Sequence, residues 1–174
     1  MNKENILNQL HQRLLLQQKK LSLAESCTGG MLASTITERA GSSLWFDRAY
    51  ITYSNQSKMD LLSVNRKTLE QFGAVSEQVA REMVTGCLQN SGCDYALSIT
   101  GIAGPEGGSI KKPVGTVWFA LAGHCTGIGK DKSPDNQQLE VKSLLQQFEG
   151  DRQHIREKAV YFALTQLLDF VNKN

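Results

Sequence analysis

Leu21–Gly30 reads LSLAESCTGG, and Met31–Arg39 continues it as MLASTITER. Leu21–Ala24 is a short strand-like run, Glu25–Gly30 is a polar turn carrying two glycines, and Met31–Arg39 has helical composition. A strand passing through a tight turn into a helix is the unit from which helix-covered sheets are built. The rest of the chain is read outward from this unit.

Upstream, Leu7, Leu10, Leu14 and Leu15 recur at helical spacing, so the first twenty residues form an amphipathic helix. Downstream, RAYITYS at Arg48–Ser54 is β-branched and aromatic and reads as a second strand. Asn55–Leu62 turns into a helix, Thr68–Phe72 forms another short one closed by Gly73, and Ser76 caps a longer one reaching about Asn90. DYALSIT at Asp94–Thr100 is a strand, and VGTVWFALA at Val114–Ala122 is the most strand-like segment of all. His124–Asn136, rich in Gly, Lys, Asp and Pro, is expected as an exposed, mobile loop. Leu139–Phe148 reads as a last strand, with a helix the alternative. Asp151–Val171 is a closing helix with Ile155, Ala159, Phe162, Ala163 and Leu167 on one side. No repeat, linker or low-complexity block divides the chain, so residues 1–174 are expected to form one α/β domain.

Bulk composition narrows the class. The 174 residues are 40% hydrophobic and 21% charged, ordinary for a soluble globular chain with one sizeable core. A net charge of +2, with Lys and Arg dispersed among acids, supplies no basic stripe for nucleic acid. Met1–Lys20 lacks the apolar core and cleavage site of a signal peptide. Nothing approaches the roughly 18 consecutive apolar residues of a membrane span. A cytoplasmic location is expected. Cys27, Cys87, Cys93 and Cys125 form no close pair and have few histidines near them, which favours reduced thiols over a zinc site.

Three polar turns follow strands: ESCTGG, YSNQSK and TGIAGPEGG. Strand carboxyl ends are where α/β sheets collect ligands. Ser26 sits in the first turn, where backbone N–H groups and a helix start suit a phosphate or an acyl-transfer oxyanion. Ser26 or Thr28 as a simple helix cap remains open, and the turn lacks the GxSxG elbow of serine hydrolases. His11, His124 and His154 fall in no strand-end loop, so a Ser-His-Asp triad is poorly supported. Lys58 offers a base if burial lowers its pKa, with Tyr53 to relay the proton or hold the amine; a solvated surface lysine is the competing reading. The glycines of Thr100–Gly108 permit close approach to a ligand or merely turn the chain. Arg152 and Arg156, after Asp151, carry forks suited to phosphate or carboxylate, or lie on a solvated helix end.

In this order, AESCTGG (24–30), AGSSLWF (40–46), YSNQSK (53–58), FGAVSEQVAREM (72–83), SITGIAGPEGG (98–108), KPVGTVWFALA (112–122) and FEGDRQHIR (148–156) resemble the CinA C-terminal domain family. The resemblance spans roughly residues 5 to 170. It implies a three-layer α/β/α sandwich around a mixed, mostly parallel sheet of about five strands. It further implies hydrolysis of nicotinamide mononucleotide to nicotinic acid mononucleotide and ammonia. Longer relatives carry an additional N-terminal domain, which is expected to be absent here.

Carried over by position, the family's nucleophile falls on Ser26, its lysine on Lys58 and its tyrosine on Tyr53. N–H groups around Thr28, Gly29 and Gly30 would hold the oxyanion. Asn55, Thr100, Gly101, Gly104 and Arg152 would contact the nucleotide. No metal or organic cofactor is implied. Rival readings are an amidase for another small amide, a non-catalytic nucleotide-binding regulator, and a DNA-associated competence factor. A homodimer is expected only because two-fold symmetry is common among enzymes of this size.

Overall fold

An interior strand of the sheet is buried on both faces, and that dictates the layering. β1 (Leu21–Glu25) is buried at every residue, so both faces of the sheet must be covered. The structure, a computed structural model, describes residues 2–126 and 137–174, without the side chains of residues 125, 126, 137 and 138.

In chain order the elements are α1 (Lys3–Gln17), β1, α2 (Met31–Thr37), β2 (Phe46–Ile51), α3 (Asn55–Leu62), α4 (Arg66–Phe72) and α5 (Glu77–Ser91). They continue with β3 (Tyr95–Gly101), β4 (Thr116–Thr126), β5 (Gln137–Gln147) and α6 (Arg152–Lys173). The five strands lie in the order β2-β1-β3-β4-β5. β1 pairs in parallel with β2 and β3, whereas β4 pairs antiparallel with β3 and β5. Only β4 therefore runs against the other strands, and the expected mixed α/β/α sandwich is observed.

Alternation along the strands sorts the two cores. Leu21 and Leu23, Tyr95, Leu97 and Ile99, and Val117, Phe119 and Leu121 face α1 and α6, meeting Leu10, Leu14, Ala163, Leu164 and Leu167. Ala24, Ala96, Ala120 and Ala122 face the other way, against Val79, Ala80, Met83, Val84 and Cys87 of α5. Small alanines on that face let α5 sit close to the sheet.

Several boundaries differ from the sequence reading, each for a local reason. β2 begins at Phe46 and ends at Ile51, short of Ser54, because Ser54 leaves the sheet to cap α3 in a reciprocal box with Ser57. β4 starts at Thr116, two residues late, because Gly115 adopts a left-handed φ of 94° and its carbonyl receives the Phe148 amide. The strand then runs on through His124 to Thr126, so these residues belong to the sheet and not to a loop. The remainder of the expected loop, 127–136, lies outside the described residues. β5 is a strand and not a helix, paired along its length with β4. A 3-10 turn at Ser42–Leu44 was not anticipated.

Cys27, Cys87 and Cys93 are buried free thiols, as expected; the Cys125 side chain is outside the described set. No described helix is long and apolar enough to cross a membrane.

Candidate active site

β1 and β3 lie side by side and end together. From that point the connections part: α2 carries β1 outward to β2, and α3, α4 and α5 bring the chain back across to β3. A crevice opens where the connections diverge. Ser26 stands on its floor, its N–H bonded to the Ile99 carbonyl at 3.0 Å, so the nucleophile turn grows directly from the paired strands.

Lys58 reaches Ser26 from α3. The Thr52 amide bonds the Glu25 carbonyl at 2.8 Å, the Ser54 box sets the entry of α3, and Lys58 follows in its first turn. Its Nζ lies 2.9 Å from Ser26 Oγ and donates to the Thr52 carbonyl at 2.7 Å. The side chain is only 1% exposed. Burial disfavours the ammonium and lowers the Lys58 pKa from 10.5 to about 8. A neutral amine keeps one lone pair; with an N–H committed to Thr52, that lone pair can accept the Ser26 hydroxyl proton. The solvated-surface reading of Lys58 is excluded.

Tyr53 is placed differently from the role given it above. Its hydroxyl accepts a 2.7 Å bond from Arg152 Nη2, and the Thr52 carbonyl, not Tyr53, holds the lysine amine. Arg152 also donates from Nη1 to the Gly104 carbonyl at 2.8 Å, which ties the start of α6 to the loop after β3. Ser26, Cys27, Tyr53, Lys58, Ala74, Val75, Thr100, Gly101, Ala103 and Arg152 together line a pocket of about 230 Å³.

Of the other expected site residues, Asn55 and Gly104 fall outside that pocket and Thr100 and Gly101 line it. Asn55 is exposed at the first position of α3 and does not line it. Gly104 acts through its carbonyl on Arg152. Gly101 does line the pocket, but packing demands a glycine there: a Cβ would lie 2.7 Å from Val117 Cγ2 and 2.9 Å from the Thr116 carbonyl. Thr100 Oγ1 is turned away to the Ala74 carbonyl at 2.8 Å.

The turn amides also need correction. Gly29, at φ 57°, donates its N–H to the Ser26 carbonyl, and the Gly30 N–H goes to Glu25 Oε2. Both are therefore spent on the turn itself and unavailable to an oxyanion. Beside Ser26, the Cys27 and Thr28 amides are the ones that reach no other residue among the described hydrogen bonds; the Cys27 N–H meets only its own Sγ. Gly29 and Gly30 instead line a neighbouring cleft of about 640 Å³ with Arg156 and Lys3. Its Ser34 and Thr35 hydroxyls are joined by no described hydrogen bond to Lys3, Glu38 or Glu157.

Glu25 was overlooked by the sequence reading. Its fully buried carboxylate accepts N–H bonds from Gly30, Leu32 and Ala33, anchoring the start of α2 to the end of β1. Cys27, next to the nucleophile, is held in its thiol form by burial, which raises its pKa to about 11. The thiol is thus a wall of the pocket. His11 is absorbed by Trp45, His154 pairs with Asp151, and none of the three histidines lines the pocket. No cluster of His, Cys, Asp and Glu able to hold a metal occurs among the described residues.

The model of the CinA C-terminal domain matches residues 3–171. The chain belongs to the CinA C-terminal domain family. Within it, a nicotinamide-nucleotide amidohydrolase PncC from Enterobacter agglomerans is 52% identical over 87% of this chain and 85% of its own length. The protein of the same name from Escherichia coli K12 is 46% identical over 91% of this chain and 88% of its own length. A solved CinA superfamily protein from Escherichia coli superposes with a TM-score of 0.85 at 39% identity, covering 97% of this chain and 90% of that one. A CinA superfamily structure from Klebsiella pneumoniae also gives 0.85, at 33% identity and with full coverage of both chains.

Proposed function

We propose that this CinA-family chain is a nicotinamide-nucleotide amidohydrolase that converts nicotinamide mononucleotide and water to nicotinic acid mononucleotide and ammonia. The observation that carries the chemistry is the buried Lys58 amine 2.9 Å from Ser26 Oγ at the floor of a pocket. The substrate follows from the relatives: proteins named for this activity are about half identical to the chain over most of their length.

Neutral Lys58 takes the hydroxyl proton as Ser26 Oγ attacks the carboxamide carbon. The carbonyl π bond opens to an oxyanion, which the amides of Cys27 and Thr28 receive. Lys58 returns the proton to the amide nitrogen, the C–N bond breaks, and ammonia leaves an acyl-Ser26 ester. Water, deprotonated by Lys58, then attacks the ester and releases the carboxylate while Ser26 regains its proton. The pocket is small for a whole nucleotide. The ring with its amide enters, and ribose and phosphate extend past Tyr53 and Arg152 at the rim. There the guanidinium supplies charge, and the Tyr53 hydroxyl can turn from Arg152 to the substrate. The enzyme would work as a soluble cytoplasmic homodimer.

Mass spectrometry of the product tests the substrate. Nicotinamide mononucleotide should gain the one-dalton shift of amide to acid, faster than free nicotinamide or nicotinamide riboside. Equal rates on all three would show that the phosphate is not recognised and would reject the nucleotide as the selected substrate.

A further inference from the structure

α6 brings a second arginine to the nucleophile turn, from the neighbouring cleft. Arg156 Nη2 donates to the Thr28 carbonyl at 2.7 Å, and its guanidinium lies 3.6 Å from where a Cβ on Gly29 would sit. The Thr28–Gly29 peptide so gripped passes its N–H, that of Gly29, to the Ser26 carbonyl at 3.0 Å. The Ser26 carbonyl belongs in turn to the peptide whose N–H is the Cys27 amide, which reaches no other residue. A fixed cation and two peptide groups thus stand in one hydrogen-bonded series that ends on the Cys27 amide beside Ser26.

We propose that Arg156 is a positioning residue for acyl transfer, acting through these two peptides on the Cys27 amide. Two effects run along the series. The Thr28–Gly29 peptide is held at both ends and the Ser26–Cys27 peptide at its carbonyl, which fixes the direction of the Cys27 N–H before any charge develops; preorganised donors cost no rearrangement as the oxyanion forms. A cation bonded to the first carbonyl also polarises each following peptide in the same sense, making the terminal N–H a stronger donor. Charge at this distance favours the transition state, where the oxyanion exists, over the bound neutral amide, where it does not. Arg152, one helical turn earlier, faces the pocket itself and serves substrate. The division between the two arginines is one of sides of the turn.

The inference rests on Ser26 being the acylated group, and on the nicotinamide nucleotide only for the physiological readout. Two assays separate them. Acylation of Ser26 by p-nitrophenyl acetate, followed as a p-nitrophenolate burst with the adduct located by mass spectrometry, needs an oxyanion site but no nucleotide recognition. Turnover of nicotinamide mononucleotide by the wild type tests the substrate reading independently.

Arg156→Gln should slow the burst about tenfold, a fraction of the roughly 100- to 1000-fold loss when an oxyanion donor is removed outright. Arg156→Lys, which keeps the charge, should recover much of that rate. With nicotinamide mononucleotide the loss should fall on kcat, with KM within about twofold. Wild-type burst rates in both variants would overturn the proposal. So would a raised KM with unchanged kcat, which would make Arg156 a phosphate ligand in the neighbouring cleft. If Arg156→Gln alone fails to fold, the Arg156→Lys burst decides: a rate more than about tenfold below wild type also refutes the charge relay. A wild type that forms the Ser26 adduct but leaves the nucleotide untouched would sink the substrate reading and leave the relay standing. No adduct on Ser26 in the wild type would overturn the relay, and the substrate reading would then stand or fall on its own assay.

Discussion

Lys58→Met should abolish turnover and, at neutral pH, leave the protein at least as stable as the wild type. The reason lies in the burial of the amine. Moving the lysine pKa from 10.5 to about 8 means that folding disfavours the ammonium by about 3 kcal/mol, at roughly 1.4 kcal/mol per pH unit. Methionine fills similar space without that cost, but leaves the Thr52 carbonyl without its 2.7 Å donor, a loss of about 1–3 kcal/mol. The two terms nearly cancel at pH 7, so a single stability value decides little. The pH dependence decides more. Between about pH 8 and 10.5 the folded wild type has released the lysine proton while the unfolded chain still holds it. More protons bound in the unfolded state means that stability rises with pH. The wild type should therefore gain about 3 kcal/mol relative to Lys58→Met across that window, with the difference flat below about pH 7. Urea denaturation of both proteins at pH 7, 8, 9 and 10, followed by circular dichroism, measures this directly, since every other titration is shared. A difference that stays constant with pH would show an ordinary, solvated lysine and remove the neutral base from the mechanism.

The same ionisation sets the pH–rate profile: kcat/KM should climb with pH through about 8 and level off above it, as the neutral amine becomes the dominant form; a rate falling across that range would require the ammonium instead. Glu25→Gln keeps the shape of the side chain but loses the charge that draws in the Gly30, Leu32 and Ala33 amides, and should lower unfolding stability by about 1–3 kcal/mol in a denaturant titration. Gly101→Ala places a methyl 2.7 Å from Val117 Cγ2 and 2.9 Å from the Thr116 carbonyl, so the β3–β4 pairing must spread and the melting temperature should drop by several degrees.

The Leu21–Gly30 stretch conveyed a good part of this in advance. Its strand, turn and helix are all present, and the polarity of three strand-end turns locates the crevice from the sequence alone. Ser26 and Lys58 were singled out as residue types able to act together, yet 32 positions of sequence separate them. Their contact depends on β2 ending early and α3 being capped at Ser54, which periodicity does not reveal. Peptide-level details were beyond reach for a different reason. Whether Gly29 offers its amide to a substrate or to the Ser26 carbonyl is fixed by a left-handed φ, and either use requires the same glycine. Glu25 was hidden because a glutamate ending a strand reads as surface; only the folded chain shows three helix amides converging on it. Tyr53 and Arg152 are 99 positions apart, and nothing in either motif marks them as partners.

The central claim is that Ser26, activated by Lys58, deamidates nicotinamide mononucleotide. Ammonia release from that substrate by the purified protein, with Ser26→Ala beside it, tests it most directly. Steady release by the wild type and none by a folded Ser26→Ala protein that still binds the nucleotide is the predicted result. Undiminished release by Ser26→Ala would contradict the nucleophile, and no release by the folded wild type would contradict the reaction.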